Sequence, residues 1–559
     1  MSDFPWIKHY PKGVPREINP DQYSSLPELF EEIFKKYADA EAYENMGKVL
    51  TYSEVDELSD NFASYLTNVS GLKKGDRIAI QMPNCLQYPI SMIGALKAGL
   101  VVVGTNPLYT AREMAHQFKD SGAKAVVIVA NFADNLEKIL PETDIQTVIH
   151  TELGDMIGGL KGFIVNFVVK YIKKMVPSYN IPKAVKFKTA LKEGSKHSFE
   201  RPEISSSDLA FLQYTGGTTG VSKGAKLSHR NLVAHTMQTQ EWFKPLFTDG
   251  EQEVMITALP LYHIFALAVN GLLMFSIGAK SILITNPRDM PGFIKELKKH
   301  PFTLMTGVNT LFNGLLNQPN INEVDFTHLK GSIGGGMAVQ RAVAEKWKKI
   351  TGGPLVEGYG LSETSPVLSV NPLDGTERIG TIGIPTPSTE MKVMNEQGEE
   401  VPLGEPGEIC GKGPQVMSGY WNKDELNETT FFNGEWFRTG DVGVMDKDGF
   451  FKIVDRKKDM INVSGFNVYP NEIEDVIAGM DKVLEVAVIG VPDEHSTEKV
   501  KAFIVKKDDS LTEEEVIAYC KENLTAYKCP KLVSFETELP KSNVGKIIRR
   551  HLRDKEEVA

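Results

Sequence analysis

The chain has 559 residues, with 62 Lys and Arg against 73 Asp and Glu, and a formal net charge of −11. That length exceeds one hydrophobic core and implies about two to four domains. Hydrophobic residues at 41% and charged residues at 24% exclude disordered and fibrous classes, and the acidic balance excludes a dedicated nucleic-acid binder.

The opening MSDFPWIKHYPKG has no apolar stretch of the kind that directs secretion. Cys85, Cys410, Cys520 and Cys529 are scattered without a CxxC, which fits a reducing compartment with no disulfide framework and no metal cluster. Apolar runs of strand length then alternate with helical patterns: RIAIQM at 77–82, VVVGTN at 101–106, AVVIVA at 125–130 and SILIT at 281–285. Between them, Thr110 to Glu113 spells a capping box, with Gly122 where a left-handed stop belongs. Such alternation predicts parallel sheet covered by helices.

Two stretches raise the question of a membrane. Val254 to Ala279 carries no Asp, Glu, Lys or Arg, but Pro260, His263, Asn270, Gly271 and Gly278 interrupt it, so a buried element is expected. Lys161 to Val176 puts Phe163, Phe167, Val168 and Ile172 near one helical face beside Lys170, Lys173 and Lys174. Periodicity leaves two readings open there: a membrane-surface helix, or a basic helix packed on its own domain.

Near Asp455 the texture changes. GFFKIVD reads as a strand entered from an Asp448-Gly449 turn, and the charged cluster DRKKD follows. Pro470 opens a helix, strands are predicted at 483–491 and 501–506, and Thr512 to Glu515 is a second capping box. The fold expected is α/β: a large N-terminal region of parallel-rich sheets with helices over 1–454, and a small mobile C-terminal α+β domain over 455–559. The hinge is placed at 455–458.

The sharpest local signal is YTGGTTGVSKG at 214–224, between the apolar run DLAFLQ and a helix capped by Ser228. Gly216, Gly217 and Gly220 let backbone N–H groups face an anion. Thr215, Thr218 and Thr219 add hydroxyls, and Lys223 adds a mobile charge. The spacing is not that of a Walker A loop. This segment resembles the signature loop of the adenylate-forming superfamily, which includes acyl-CoA synthetases, luciferases and peptide-synthetase adenylation domains. GYGLSET (358–364), WFRTGD (436–441), DRKKDMINVSGFNVYPNEIE (455–474) and LPKSNVGK (539–546) follow in the family's order. ALPLYHIFAL, ITNPRDMPG, TGVNTLFN and GPQVMSGYW make the chain most similar to bacterial long-chain fatty-acid–CoA ligases.

The resemblance implies a two-step reaction. A carboxylate attacks the α-phosphate of ATP and expels pyrophosphate, and the thiol of coenzyme A then displaces AMP. It implies ATP and Mg²⁺, with coenzyme A as co-substrate. Thr215 and Glu363 would hold the metal, and Gly334, Gly335 and Gly336, with Tyr359, Gly360 and Ser362, would lie along the nucleotide. Asp441 would take the ribose hydroxyls, and Arg456 would bind the same nucleotide. Lys546 would reach the α-phosphate in the first step only, Lys458 would be the hinge, and Ser464 and Gly465 would line the pantetheine path. His263 matches an aromatic position that gates the thiol. The family often has Lys where Asn462 stands, and some long-chain relatives carry a tryptophan gate at the position of Leu267.

Absence of an acid in 254–279 disfavours an α-amino acid substrate, whose ammonium needs an anion. Phe265, Leu267, Ala268, Leu272 and Phe275 suit a methylene tail at about 0.8 kcal/mol per buried CH₂. A fatty acid is therefore expected. The alternatives are a medium-chain or aromatic acid, a luciferase-like oxygenase, and a non-catalytic acyl or nucleotide binder. A cytoplasmic location is expected, with peripheral contact to the inner face of the membrane and a homodimer both compatible with it.

Overall fold

The computed structural model describes residues 4–215, 222–493 and 496–558. Two large sheets carry the N-terminal part. The seven-stranded sheet runs in the order Val185–Lys186, Thr147–Thr151, Ala123–Val129, Arg77–Gln81, Val101–Gly104, Leu209–Thr215 and Lys223–Ser228. All its pairs are parallel except the last. The nine-stranded sheet has the parallel strands Leu355–Gly360, Gly331–Gly334, Leu304–Gly307, Val254–Thr257, Lys280–Leu283 and Glu41–Asn45 at its centre and antiparallel strands at both ends. The four strands expected from apolar runs fall within a residue or two of Arg77–Gln81, Val101–Gly104, Ala123–Val129 and Lys280–Leu283. Their runs are continuous because helices cover both faces of a parallel sheet.

Local signals act as expected. Thr110 and Glu113 exchange both bonds of a capping box at the start of Ala111–Ser121, and Gly122 ends that helix at φ 60°. Ser228 caps His229–Phe243, and Thr512 caps Glu513–Asn523. All four cysteines are free and buried. The uncharged stretch forms strand Val254–Thr257, a loop, and a π-wound helix Ala266–Leu273 that is buried throughout. Among the described residues no helix is long and apolar enough to cross a membrane.

Sheet membership changes between Arg456 and Ile461. Phe451–Arg456 still pairs with Trp436–Met445, whereas Ile461–Val463 belongs to a separate sheet with Phe466–Val468, Thr497–Lys506, Val483–Asp493 and Leu532–Glu536. This smaller β/α part has cores of its own.

The crossing point is held by buried charge. Asp455 is fully buried and accepts from the backbone of Arg456 (2.7 Å) and Asn471 (2.9 Å). Arg549, from the last helix, reaches Asp455 at 3.2 Å, Glu474 at 2.8 Å and Asp459 at 3.5 Å. Removing one partner of a buried ion cluster leaves uncompensated charge and costs about 3–5 kcal/mol. Arg549→Met is therefore expected to loosen 451–475 selectively. Hydrogen exchange should rise across that segment and stay unchanged in the seven-stranded sheet, and uniform protection would contradict this account of the crossing point.

Candidate active site

Ligands of open α/β sheets bind where connections leave adjacent strands in opposite directions, at the carboxyl ends. In the nine-stranded sheet that place is between Val254–Thr257 and Leu304–Gly307. The chain leaves the first toward Lys280–Leu283 on one side, then returns past it to the second on the other. A cavity of about 70 Å³ opens there, lined by Leu259, Pro260, His263, Phe265, Val308 and Gly336, and closed by Val544 and Lys546 of the small part.

Lys546 reaches this cavity from a tight turn. Ser542 N–H donates to the Lys546 carbonyl (2.7 Å), Gly545 sits at φ 82°, and Thr310 Oγ1 donates to the Gly545 carbonyl (2.8 Å). Asn313 Nδ2 donates to the Leu484 carbonyl (2.8 Å), and the Arg341 N–H donates to Asp475 (3.0 Å). The small part is thus docked over the cavity mouth. Burial, then the nearby Arg456 guanidinium, brings the Lys546 ammonium down to about 7. Burial, with Lys546 next, brings His263 down to about 4, so its imidazole is neutral at neutral pH.

Beside the lysine stands a polar cluster. Tyr359 OH donates to Asp441 Oδ2 at 2.7 Å, and Arg456 Nε lies 3.4 Å from Asp441 Oδ1. Asp441 and Arg456 are direct partners in the antiparallel pair of Trp436–Met445 with Phe451–Arg456, so strand register sets their contact. Lys458, exposed but lowered to about 8 by partial desolvation and then by Arg456, follows in the same segment.

Glu363, buried in the short helix Ser362–Thr364 after Gly360, accepts from Tyr420 OH at 2.6 Å. Lys223 Nζ lies 4.6 Å from the Tyr420 ring centre, and Thr215 faces Lys223 in register. Gly216, Gly217, Thr218, Thr219 and Gly220 lie outside the described residues. Among the described residues no group of three or more His, Cys, Asp and Glu side chains could hold a metal ion. One carboxylate and one hydroxyl suit only a metal that arrives with most of its oxygens supplied by phosphates and water, as Mg²⁺ does.

The glycine triplet is more than a turn. A Cβ on Gly334 would run into Val339, one on Gly335 would lie 3.0 Å from the Phe265 ring, and Gly336 adopts φ 76°. Of the apolar residues expected to meet a methylene tail, Phe265 lines the cavity. Leu267, Ala268 and Leu272 are buried, and Phe275 is enclosed by the rings of Phe30, Phe34, Tyr43 and Tyr52, which makes it core. Ser464 and Gly465 form the tip of an exposed hairpin and do not line the cavity, while Asn462 caps that tip by accepting from the Gly465 N–H at 2.8 Å.

Three contributors escaped the sequence reading. Asn84, buried, donates to the Thr257 and Leu259 carbonyls and accepts from the Leu261 N–H, all at 2.9 Å. It clamps the loop bearing His263 from the other sheet, and Tyr88 and Gln213 add bonds to Leu261 and Tyr262. Glu357, one residue before GYGLSE, is pushed up to about 8 by burial. Tyr420 lies in the SGYW run, and burial, then Glu363, holds its phenol well above the usual range. Position next to a motif was the only signal for the last two, and Asn84 had none.

The model of the AMP-binding enzyme family matches residues 30–421, and that of the AMP-binding enzyme C-terminal domain matches 472–546. The chain belongs to the AMP-binding enzyme family. A long-chain-fatty-acid–CoA ligase of Escherichia coli O6:H1 is 56% identical, with 98% of each chain covered. One of Bacillus subtilis is 36% identical over 100% of this chain and 99% of that one. Among solved structures, ATP-bound MatB from Rhodopseudomonas palustris aligns with a TM-score of 0.78 at 29% identity, covering 95% of this chain and 98% of that one. An anthranilate CoA ligase, AuaEII, in complex with anthranoyl-AMP shares the fold at a TM-score of 0.86 and 23% identity, covering 97% and 99%.

The lowered Lys546 generates a pH signature for this AMP-binding enzyme. An ammonium at about 7 in the free enzyme is charged below that pH and neutral above it. The kcat/KM for ATP in adenylate formation, which reports free-enzyme groups, is expected to fall about tenfold per pH unit above 7. Lys546→Arg should flatten that limb, because guanidinium stays charged. An identical fall in both proteins would assign it elsewhere.

Proposed function

We propose that the protein is a long-chain fatty-acid–CoA ligase. It would activate a fatty acid with ATP to acyl-AMP and pyrophosphate, then pass the acyl group to coenzyme A with release of AMP. The observation that carries the geometry is Lys546 in one cavity with His263, next to the Tyr359–Asp441–Arg456 cluster. A lysine charge placed by a docked domain suits a step in which negative charge grows on the α-phosphate. The full-length relatives named as long-chain-fatty-acid–CoA ligases support the choice of acid.

In this reading Asp441 accepts from the ribose hydroxyls, and Arg456 and Lys546 hold the α-phosphate while the substrate carboxylate attacks it. Gly334 to Gly336 and Tyr359 to Ser362 form the nucleotide wall. Lys223 and the loop 215–220 take the outer phosphates. Glu363 and Thr215 hold Mg²⁺, which neutralises charge on the phosphates when bound. Neutral His263 flanks the carbonyl that the thiol attacks, without adding charge to a site already rich in cations.

The small part spans 455–559 and pivots at 455–458, about Lys458. That motion withdraws Lys546 and brings the Ser464–Gly465 tip to the pantetheine. The setting is the cytoplasm, with the enzyme in peripheral contact with the inner face of the membrane, where long-chain acids dissolve.

The test is AMP and acyl-CoA formation across straight-chain acids of different lengths, with benzoate and anthranilate as aromatic controls. The expected result is kcat/KM rising with chain length, since each buried CH₂ contributes about 0.8 kcal/mol. Highest efficiency with an aromatic acid, or AMP formation with none, would overturn the reading.

A further inference from the structure

The helix Gly159–Phe167 continues as a π-wound turn through Val168–Ile172. Its amphipathicity is inverted. The face toward the protein is small and polar: Gly162 packs so tightly on Gly154 that a Cβ on either would meet the other's carbonyl oxygen. Asn166 accepts from the Gly154 N–H (2.7 Å) and donates to Asp155 (3.1 Å). Lys161 is tied to the Met46 carbonyl, and Asn131 donates to the Met175 carbonyl (3.1 Å).

The outward face is apolar. Leu160, Phe163 and Ile172 are 75%, 67% and 66% exposed, and Phe163, Phe167 and Tyr171 form a ring ladder with steps of 6.4 and 5.1 Å. Seven of the 13 large apolar side chains exposed among the described residues fall between 160 and 175. Internal packing, one of the two readings left open by the sequence, is therefore ruled out for this face. An apolar patch of this kind marks a docking surface.

We infer that the outward face of residues 159–176 is a lipid-docking foot, which inserts its apolar side chains among the headgroups of an anionic bilayer. Three observations select that occupant. The segment holds four lysines and no acid in a chain of net charge −11, so its charge complements anionic lipid. Fourteen helical residues span about 21 Å and fit flat in an interface, too short to cross it. A second copy docked face to face would bring the lysines of both segments, and no acid of either, into one interface. The anchored inner face makes the foot a rigid part of the domain. The proposal rests on the fatty-acid reading for its purpose only, since a foot on the bilayer meets a substrate dissolved there.

The test is flotation of the full-length protein with vesicles of phosphatidylcholine alone, or mixed with phosphatidylglycerol, at about 0.1 and about 0.5 M salt, where surface charge is largely screened. Wild type is expected to float with mixed vesicles and to keep part of its binding at high salt. Phe163→Ser, Phe167→Ser and Ile172→Ser together should lower partitioning at least about tenfold on both vesicles. Lys170→Gln, Lys173→Gln and Lys174→Gln together should remove only the low-salt preference for anionic lipid. Unchanged binding by the apolar triple variant, or a wild type that dimerises and floats with neither vesicle, would overturn the proposal. Phe167→Trp gives a second readout: its added emission should shift to the blue with vesicles, and no shift also overturns it. Turnover of soluble octanoate should be the same in all variants. Absence of acyl-CoA formation by wild type with straight-chain acids of every length would defeat the ligase reading and leave the lipid result standing.

Discussion

A half-buried cation with too little negative charge around it is the constraint on which this structure turns. Lys546 lines the cavity beside Arg456 and the neutral His263, and its ammonium is depressed to about 7. Asp441 offsets that crowding in part, but it is already engaged by Tyr359 and Arg456. Such a site is at its most stable when a phosphate supplies the missing negative charge. In the reading proposed above, the same electrostatics would favour docking of the small part with nucleotide bound and its release once pyrophosphate has left.

The rest of the fold serves the placement of that charge. The nine-stranded sheet opens a crevice where its connections diverge, and the seven-stranded sheet clamps the crevice loop through Asn84, Tyr88 and Gln213. Arg549 joins Asp455, Asp459 and Glu474 at the point where the chain passes from one part to the other. The pivot proposed for Lys458 is therefore flanked by a buried ion cluster on one side and the Tyr359–Asp441–Arg456 cluster on the other.

Legibility in the sequence followed interaction range. Capping boxes at Thr110–Glu113 and Thr512–Glu515 and the strand runs were legible because their physics is local. The grouping of Lys546 with His263, Asp441 and Arg456 came through resemblance, since residues 283 positions apart leave no periodic trace. Asn84 was missed because its three bonds go to a loop about 175 residues away. Phe275 suits a methylene tail in the sequence yet is core in the fold, because an apolar residue near a site reads alike whether it faces a ligand or other rings. In Lys161–Val176 periodicity showed two faces, and only Gly162 and Asn166 in place revealed which one is anchored.

The central claim is that the lysine in the cavity acts in forming the acyl-adenylate and has no part in consuming it. The most direct measurement compares the two half-reactions in Lys546→Ala: pyrophosphate exchange into ATP with fatty acid present, and acyl-CoA formation from supplied acyl-adenylate. The account predicts loss of exchange by about a hundredfold or more, the scale of removing one charge stabiliser, with the second half-reaction near wild type. Equal loss in both would contradict it.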